Sequence, residues 1–196
     1  MKKNIVISRI KGFCSFLLLC TFAFSLQSCK EDIDDSNFAI AKDKTVTDYL
    51  VASDSLSDIK AIFDRVKLGR SDNASSLSAV LSARGNYTVF APTNSAVKKY
   101  VSSLTGSTDV SSLTYEQAQL IAFNCVIDNG TEGAYETPDF PTSGTFTLSN
   151  LNDRLLSCHQ DSTQNNSPYV INGTSTVIKE NQKVSNGIVH LVNCVI

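Results

Sequence analysis

Histidine is scarce in this chain of 196 residues, which has only His159 and His190. Neither histidine has a second ligand residue at the spacing of a zinc or iron site, so we expect no metal and no cofactor. The sequence also lacks a Gly-x-Ser-x-Gly nucleophile elbow, a phosphate-binding glycine loop and a Cys-x-x-Cys pair. No catalytic residues can be assigned, and we do not expect an enzyme.

Positive charge is also in short supply. The chain has 17 basic and 19 acidic residues, and no stripe of Lys and Arg is interleaved with aromatic residues. Binding to DNA or RNA requires basic clusters that face the phosphates. The sequence therefore predicts no nucleic-acid partner.

No apolar run is long enough to span a bilayer. The longest extends from Phe13 to Leu26 and contains 14 residues, whereas a transmembrane helix needs about 20. Basic residues precede this run, as in a secretory signal peptide. We therefore predict that residues 1–28 are a signal peptide, and its removal leaves 13 basic and 19 acidic residues, a net charge of −6.

The apolar run ends in Leu26-Gln27-Ser28-Cys29. This motif resembles a bacterial lipobox, in which the cysteine becomes the acylated first residue of the mature protein. The alternative is an ordinary Cys29 beside a conventional cleavage site. Two or three acyl chains hold a protein stably, whereas a single chain binds marginally. The lipobox predicts a protein that contacts the membrane through a lipid anchor at Cys29.

Residues 30–35 place one lysine before an acidic cluster. This run resembles the export tag of surface-exposed lipoproteins in Bacteroidetes, although acidic runs also serve as plain solvated tethers. We therefore expect residues 29–43 to be an acidic tether. The expected location is the outer membrane, with the domain facing the cell exterior.

Three cysteines remain for the domain, because two of the six lie in the signal peptide and one is the lipidated residue. They are Cys125, Cys158 and Cys194. An odd number cannot pair completely, and each lies in an apolar or alternating segment, which favours buried thiols. One bridge between Cys158 and Cys194 remains an alternative for an exported protein.

Helical periodicity dominates the first half of the domain. It predicts helices over residues 45–51, 56–68 and 74–83, and another that begins after Thr114. Three start signals of the capping-box type support them, namely Thr45 with Asp48, Ser55 with Asp58, and Thr114 with Gln117.

The second half is predicted to be rich in β-structure. From residue 131 onward, Gly, Pro, Ser and Thr separate short alternating runs at residues 145–148, 155–160, 169–171 and 175–178. Asn172-Gly173 suits a tight turn between the last two of these strands. In the strand at 155–160, the adjacent Cys158 and His159 point to opposite faces, which argues against a catalytic Cys-His pair.

Two segments are more distinctive. In Tyr87–Asn94, a short β-run ends at Pro92, and Thr93 stands where it would cap a helix that begins at Asn94. In the second segment, Asn186-Gly187 opens a strand that is predicted to alternate as far as Ile196. His190 then lies on an apolar face and is expected to be a core histidine.

These segments resemble the two signatures of the fasciclin-type domain, T-V-F-A-P-T-N-x-A-F and N-G-V-I-H-V-I-D. The first matches with Val97 in place of Phe, and the second with Asn193 in place of Asp. The resemblance implies an α+β fold over residues 44–196, namely a wedge-shaped β-sandwich of about seven strands with flanking N-terminal helices. The residues that carry the structural signature are Thr88, Phe90, Pro92, Thr93, Asn94, Asn186, Gly187 and His190.

One position departs from the family. Its central Tyr-His pair is replaced here by Phe123-Asn124. We therefore do not carry over integrin binding, or any other function of that pair.

The resemblance implies a non-enzymatic, lipid-anchored envelope protein that acts in adhesion or in contact with an extracellular protein or glycan. The alternative is an accessory lipoprotein that captures a ligand or polysaccharide for an outer-membrane uptake system. A loop with Tyr135 and Phe140, together with Tyr169, is the candidate contact surface, unless it packs its aromatic rings onto the sandwich. Ser55 and Ser162 lie in short motifs that resemble Bacteroidetes O-glycosylation sites.

Overall fold

The computed structural model describes residues 44–69, 71, 73–163 and 168–196. They belong to one compact unit, Lys42–Ile196. The signal peptide, Cys29 and the tether predicted for residues 1–43 lie outside the described residues. In the described part, the α-helices are α1 (Val46–Val51), α2 (Ser57–Arg65), α3 (Leu77–Val80), α4 (Asn94–Thr105) and α5 (Tyr115–Asn124).

Seven strands form one sheet in the described part. They are β1 (Tyr87–Pro92), β2 (Val126–Asp128), β3 (Ser143–Ser149), β4 (Leu155–Gln160), β5 (Tyr169–Ile171), β6 (Ser175–Val184) and β7 (Gly187–Val192). Their order is β2-β1-β7-β6-β5-β4-β3, in which only β1 and β7 run parallel. An isolated bridge from Ile127 to Asn150 brings β2 to the end of β3. The sheet therefore curls nearly into a barrel, and the predicted α+β fold of about seven strands with flanking helices is confirmed.

The long strand β6 joins the two halves of this sheet. Its first residues, Ser175 and Thr176, pair with β5, whereas Val177 to Val184 pair with β7. The register shifts twice along the second part, and Asn181 has a positive φ of 55° there. Such irregularities bend a strand and increase its twist, which allows the two halves to face one another.

Two apolar cores lie on opposite faces of the sheet. One core fills the space between the two halves and receives a buried side chain from every strand: Phe90, Ile127, Phe146, Leu156, Cys158, Ile171, Val177 and Val192. The other lies between the helices and the outer face of β1 and β7, where Val89 and Val189 contact it. Side chains alternate in direction along a strand, so β1 and β7 contribute to both cores.

Of the three capping boxes predicted at helix starts, the structure confirms two and contradicts one. Thr45 with Asp48 and Thr114 with Gln117 form complete capping boxes at α1 and α5. The box predicted for Ser55 and Asp58 is wrong. Ser55 lies in the short 3₁₀ helix Asp54–Leu56, and α2 begins only at Ser57, with no capping hydrogen bond from the side chain of its own N-cap residue.

The β-half follows its pattern closely. Asn172 and Gly173 have φ values of 49° and 73° in the turn between β5 and β6, as their type predicts. Cys158 is buried and His159 exposed, on opposite faces of β4. Strand β7, however, ends at Val192 and not at Ile196. Just after it, the Asn193 side chain accepts a hydrogen bond from the backbone N–H of Thr176 at 2.8 Å.

The three cysteines of the domain are free thiols, so the alternative of a Cys158–Cys194 bridge is not realised. Cys125 and Cys158 are buried, and burial raises the pKa of each thiol to about 12. A thiol with so high a pKa stays protonated at neutral pH and is a poor nucleophile. These two residues therefore act as apolar core side chains.

Candidate functional site

Asn186, the first residue of the second signature, connects three distant pieces of chain. Its Oδ1 accepts from the backbone N–H of Val46 at 2.9 Å, which supplies the first turn of α1 with a partner. Its Nδ2 donates to the carbonyls of Leu81 and Ala83 at 2.8 and 2.7 Å, just after α3. Asn186 is almost fully buried, so these bonds replace water for groups that water cannot reach.

Asn94, a residue of the first signature, has a similar role at α2. Its Oδ1 accepts from the backbone N–H of Asp58 at 3.0 Å, in the first turn of that helix. Its Nδ2 donates to the carbonyl of Asp54 and to the hydroxyl of Ser57. The cap that α2 lacks locally is therefore supplied by a residue 36 positions further along the chain.

The other residues of the first signature lie on β1 or just after it. Phe90 is buried between the two halves of the sheet, and Pro92 is the last residue of the strand. Thr93 occupies the N-cap position of α4 as predicted, but its side chain makes no capping bond to the backbone. Its hydroxyl instead lies 3.0 Å from that of Ser95.

His190 is fully buried on β7, and both of its ring nitrogens are bonded. Nε2 donates to the carbonyl of Tyr135 at 3.0 Å, and Nδ1 accepts from the backbone N–H of Asn181 at 3.3 Å. This pattern fits the neutral ring with its proton on Nε2. The ring also lies 4.9 Å from that of Phe140 and 5.5 Å from that of Phe90, measured between centroids.

Burial lowers the pKa of His190 below 6.5, although the Tyr135 carbonyl and the carboxylates of Glu180 and Glu136 act in the opposite direction. The folded protein therefore holds this proton less tightly than the unfolded chain does. The contribution of His190 to stability is complete above the unfolded pKa of 6.5 and falls as the pH drops below that value.

We expect His190→Ala to lower the free energy of unfolding by about 2 to 4 kcal/mol at pH 7, because it leaves a cavity and unpaired backbone groups. Below pH 6.5, the difference from wild type should shrink by up to about 1.4 kcal/mol per pH unit. Denaturant unfolding at pH 7.5, 6.5 and 5.5 measures both effects. His159→Ala, at an exposed position on β4, is the control and should unfold as wild type at pH 7.5. An unchanged difference across this pH range would contradict a neutral His190.

The segment from Asn129 to Phe140 is fastened across this part of the sheet. The hydroxyl of Thr88 donates to Asn129 Oδ1 at 2.9 Å and accepts from the backbone N–H of Tyr135 at 2.8 Å. Asn181 bonds both the backbone and the hydroxyl of Thr137. The predicted contact surface is wrong for Phe140, which is buried against Phe90 and Phe146. The loop packs its aromatic rings inward.

Tyr135 and Tyr169, the other members of the predicted contact surface, are only half buried. The ring of Tyr135 lies 5.1 Å from that of Phe146, and its hydroxyl lies 2.6 Å from that of Thr147. Tyr169 packs edge-on against Phe140. Their outer edges remain accessible, but the rings are fixed by the core of the sandwich.

A surface groove lies elsewhere, between α5 and the turn that follows β3. Its volume is about 440 Å³, and its lining residues are Gly69, Glu116, Gln119, Leu120, Phe123, Leu151, Asn152 and Asp153. Phe123 is one of the two residues that replace the family's Tyr-His pair. No sequence pattern indicates this groove, although Asn150-Leu-Asn-Asp153 carries the residue types typical of a turn.

The remaining predicted sites are the two candidate O-glycosylation serines and the lipidated cysteine. Ser55 and Ser162 are exposed, and Cys29 lies outside the described residues. Within the described ranges, no three His, Cys, Asp or Glu side chains come together in a way that would hold a metal ion. Among the helices of that same part, none has the length and apolar character to cross a bilayer.

Comparisons with known proteins bear on this architecture. A solved structure of a FAS1 domain pair from the insect cell adhesion molecule Fasciclin I matches with a TM-score of 0.59 at 18% identity. The match covers 78% of this chain and 50% of the other, so the chain spans about half the length of that domain pair. At this identity the likeness shows the fold alone. No curated protein matches the sequence.

The family comparison is more direct. The model described as the Fasciclin domain matches residues 67–196, which is well over half of the chain and includes both signature segments. The buried Asn186 and His190 and the remote cap Asn94 all lie inside the matched range. The chain therefore belongs to the fasciclin domain family.

Proposed function

We propose that this chain is a non-enzymatic contact module of the cell envelope, held at the outer membrane by acyl chains on Cys29 and acting in adhesion to a protein or glycan. We base the adhesive role on the match of residues 67–196 to the fasciclin domain. The related domain pair of similar fold comes from a cell adhesion molecule.

The burial of polar groups supports a binding rather than a catalytic role. His190 and Asn186, two polar residues of the second signature, are almost fully buried and bonded to backbone groups. A general base must reach the proton that it removes, and these side chains are enclosed by the fold. Their work is to hold the loops and strands in place.

The sequence supports the anchor. A signal peptide over residues 1–28, ending within the lipobox Leu26-Gln27-Ser28-Cys29, leaves Cys29 as the acylated first residue, and residues 29–43 supply an acidic tether. The acidic residues after Lys30 are the features that favour the outward-facing location. An anchored domain on such a spacer can contact surfaces outside the cell.

We expect Cys29→Ala to release the protein from the membrane, because the acyl chains supply nearly all of its membrane affinity. Detergent-phase partitioning measures the loss, and protease digestion of intact cells measures whether the wild-type domain is exposed. Cys20→Ala, inside the signal peptide and outside the lipobox, is the matched control and should partition as wild type does. Equal partitioning of the Cys29→Ala and wild-type proteins would disprove the anchor.

The adhesive role has its own measurement with the same variant. Cells that carry wild-type protein should attach to a surface or to one another more than cells that carry Cys29→Ala, because a released domain cannot link the cell to its partner. If both cell types attach equally while only the wild-type protein is anchored, the adhesive role is wrong and the anchor stands.

The groove beside Phe123 favours a second candidate function, the capture of a ligand for an outer-membrane uptake system. Its volume of about 440 Å³ falls within the range of small-molecule sites. In this case, cells with Cys29→Ala would take up the ligand more slowly and attach as before. The two functions therefore differ in which property the variant changes.

A further inference from the structure

The groove between α5 and residues 150–154 has one wall that is held rigidly. Asn150 is almost fully buried, and its Oδ1 accepts from the backbone N–H groups of Asn152 and Arg154, each at 3.0 Å. The backbone N–H of Asp153 donates to the Asn150 carbonyl at 3.0 Å. Asp153 is held at a φ of 56°, a conformation that costs a non-glycine residue about 1 to 2 kcal/mol.

The same turn is fastened to the end of α5. Asn152 Nδ2 donates to Asn124 Oδ1 at 3.2 Å, and Asn150 Nδ2 lies 3.4 Å from both the Asn124 side-chain oxygen and its carbonyl. Asn124 Nδ2 donates in turn to the carbonyl of Ile196 at 3.2 Å. The two walls of the groove, α5 and the turn at residues 150–154, are therefore held in fixed positions without a ligand. A preformed site of this kind loses less entropy on binding.

The lining combines an apolar face with uncharged hydrogen-bonding groups. Phe123, Leu120 and Leu151 supply the apolar face, and 43% of Leu120 is exposed, so part of this face is accessible to a ligand. Gln119 and Asn152 supply amides. In the part of the chain that the structure describes, neither the Gln119 side chain nor Asn152 Oδ1 has a hydrogen-bond partner, so both are available to a ligand.

The charge of the lining residues restricts the class of ligand that the groove can bind. Its charged residues are Glu116 and Asp153, and none of these described lining residues is cationic. An anionic ligand such as a phosphate, a sulfate or a uronate would meet two carboxylates and no cationic lining residue. Hydrogen bonds from its own backbone N–H and from Thr114 lower the pKa of Glu116, so its carboxylate is ionised at neutral pH and adds to the repulsion of an anionic ligand.

We propose that this groove binds a neutral glycan, with a sugar ring against Phe123 and Leu120 and its hydroxyls bonded to Gln119, Asn152 and Asp153. A pyranose ring has an apolar C–H face and a rim of hydroxyls, which matches the two kinds of surface in the groove. This inference rests on the proposed function and names the partner class of the contact module.

The test is calorimetric titration of the full-length protein in detergent with four neutral hexasaccharides built from glucose in β-linkage, glucose in α-linkage, mannose and xylose. We expect at least one of them to bind. Phe123→Ala and Gln119→Ala should each weaken that binding about tenfold, the effect of losing one central contact of about 1.4 kcal/mol. Gln119 is at the surface, so its substitution should change stability by less than about 0.5 kcal/mol.

Tyr100→Ala is the matched control, because Tyr100 is another partly buried helical aromatic against the same core as Phe123. It should leave glycan binding unchanged. The proposal is overturned if no neutral hexasaccharide binds, if hexagalacturonate or hexalysine binds more tightly than all four, or if the groove variants bind like the control. Adhesion that still depends on Cys29 in those cases would leave the proposed function standing.

Discussion

Gly187→Ala is expected to lower the free energy of unfolding by more than about 4 kcal/mol, a loss seen only when a specific structural element is broken. Gly187 starts β7 and pairs in register with Tyr87 of β1. A Cβ placed on Gly187 would lie 2.0 Å from the carbonyl oxygen of Tyr87 and 2.8 Å from its nitrogen. Because both contacts are with backbone, no side-chain rotation can relieve them.

The loss of stability affects both cores, since both β1 and β7 contribute side chains to each of them. Separating the strands at Gly187 also removes the hydrogen bond of 2.9 Å from the Tyr87 N–H to the Asn186 carbonyl. Denaturant unfolding of the full chain measures the loss of stability. If the loss exceeds the stability of the wild-type domain, the variant accumulates in the unfolded state.

Gly173→Ala is the control that separates the cost of a positive φ in a non-glycine residue from the cost of a steric clash with β1. Both glycines have a positive φ, 153° at Gly187 and 73° at Gly173, but nothing lies within 4 Å of a Cβ placed on Gly173. Its substitution should cost only the left-handed backbone penalty of about 1 to 2 kcal/mol. Equal losses for the two alanine variants would show that close approach of β1 is not what requires glycine at position 187.

Asn186→Ala is expected to destabilise the domain by about 3 to 5 kcal/mol, because it leaves the Val46 N–H and the Leu81 and Ala83 carbonyls without their partner. The effect should be largest near α1. Amide hydrogen exchange at Val46 should therefore accelerate more than at residues of β4. Denaturant unfolding gives the overall loss.

Two further variants make this test specific. Asn186→Asp keeps an oxygen for Val46 but presents acceptors to two carbonyls, so we expect it to rescue little of the loss. Asn193→Ala is the matched control, since it removes a bond to the Thr176 N–H at an exposed position and should cost about 1 kcal/mol or less. A small effect of Asn186→Ala, comparable with that of Asn193→Ala, would contradict the role of Asn186 as a link between α1 and α3.

The helix starts illustrate which local structures the sequence can predict. In α1 and α5, the capping partners are three residues apart, so the pattern of Thr45 with Asp48 is visible in the sequence itself. In α2, the partner of the Asp58 N–H is Asn94, which only tertiary folding brings near. The local signal at Ser55 therefore misled the prediction.

The candidate sites also combine features that the local sequence predicts with contacts that only the tertiary structure provides. The alternation around His190 indicates a buried histidine, but its partners, Tyr135 and Asn181, come from a loop and from a bend in β6. The Pro and Gly residues around Phe140 predict an exposed loop. In the folded domain, however, the ring of Phe140 fills space inside the sandwich and is buried. The groove joins residues from α5 with a turn about 30 positions later, so no local pattern reveals it.

The sequence alone determined the two signature segments, whose resemblance to the fasciclin domain implies the fold class. It also determined the burial of His190, which follows from the apolar alternation of β7. The tertiary structure decided what the signature residues do. Asn94 and Asn186 act through hydrogen bonds to backbone groups that lie 36 to 140 positions away. Such bonds form only when the chain has already closed around them, and burial then gives them their strength.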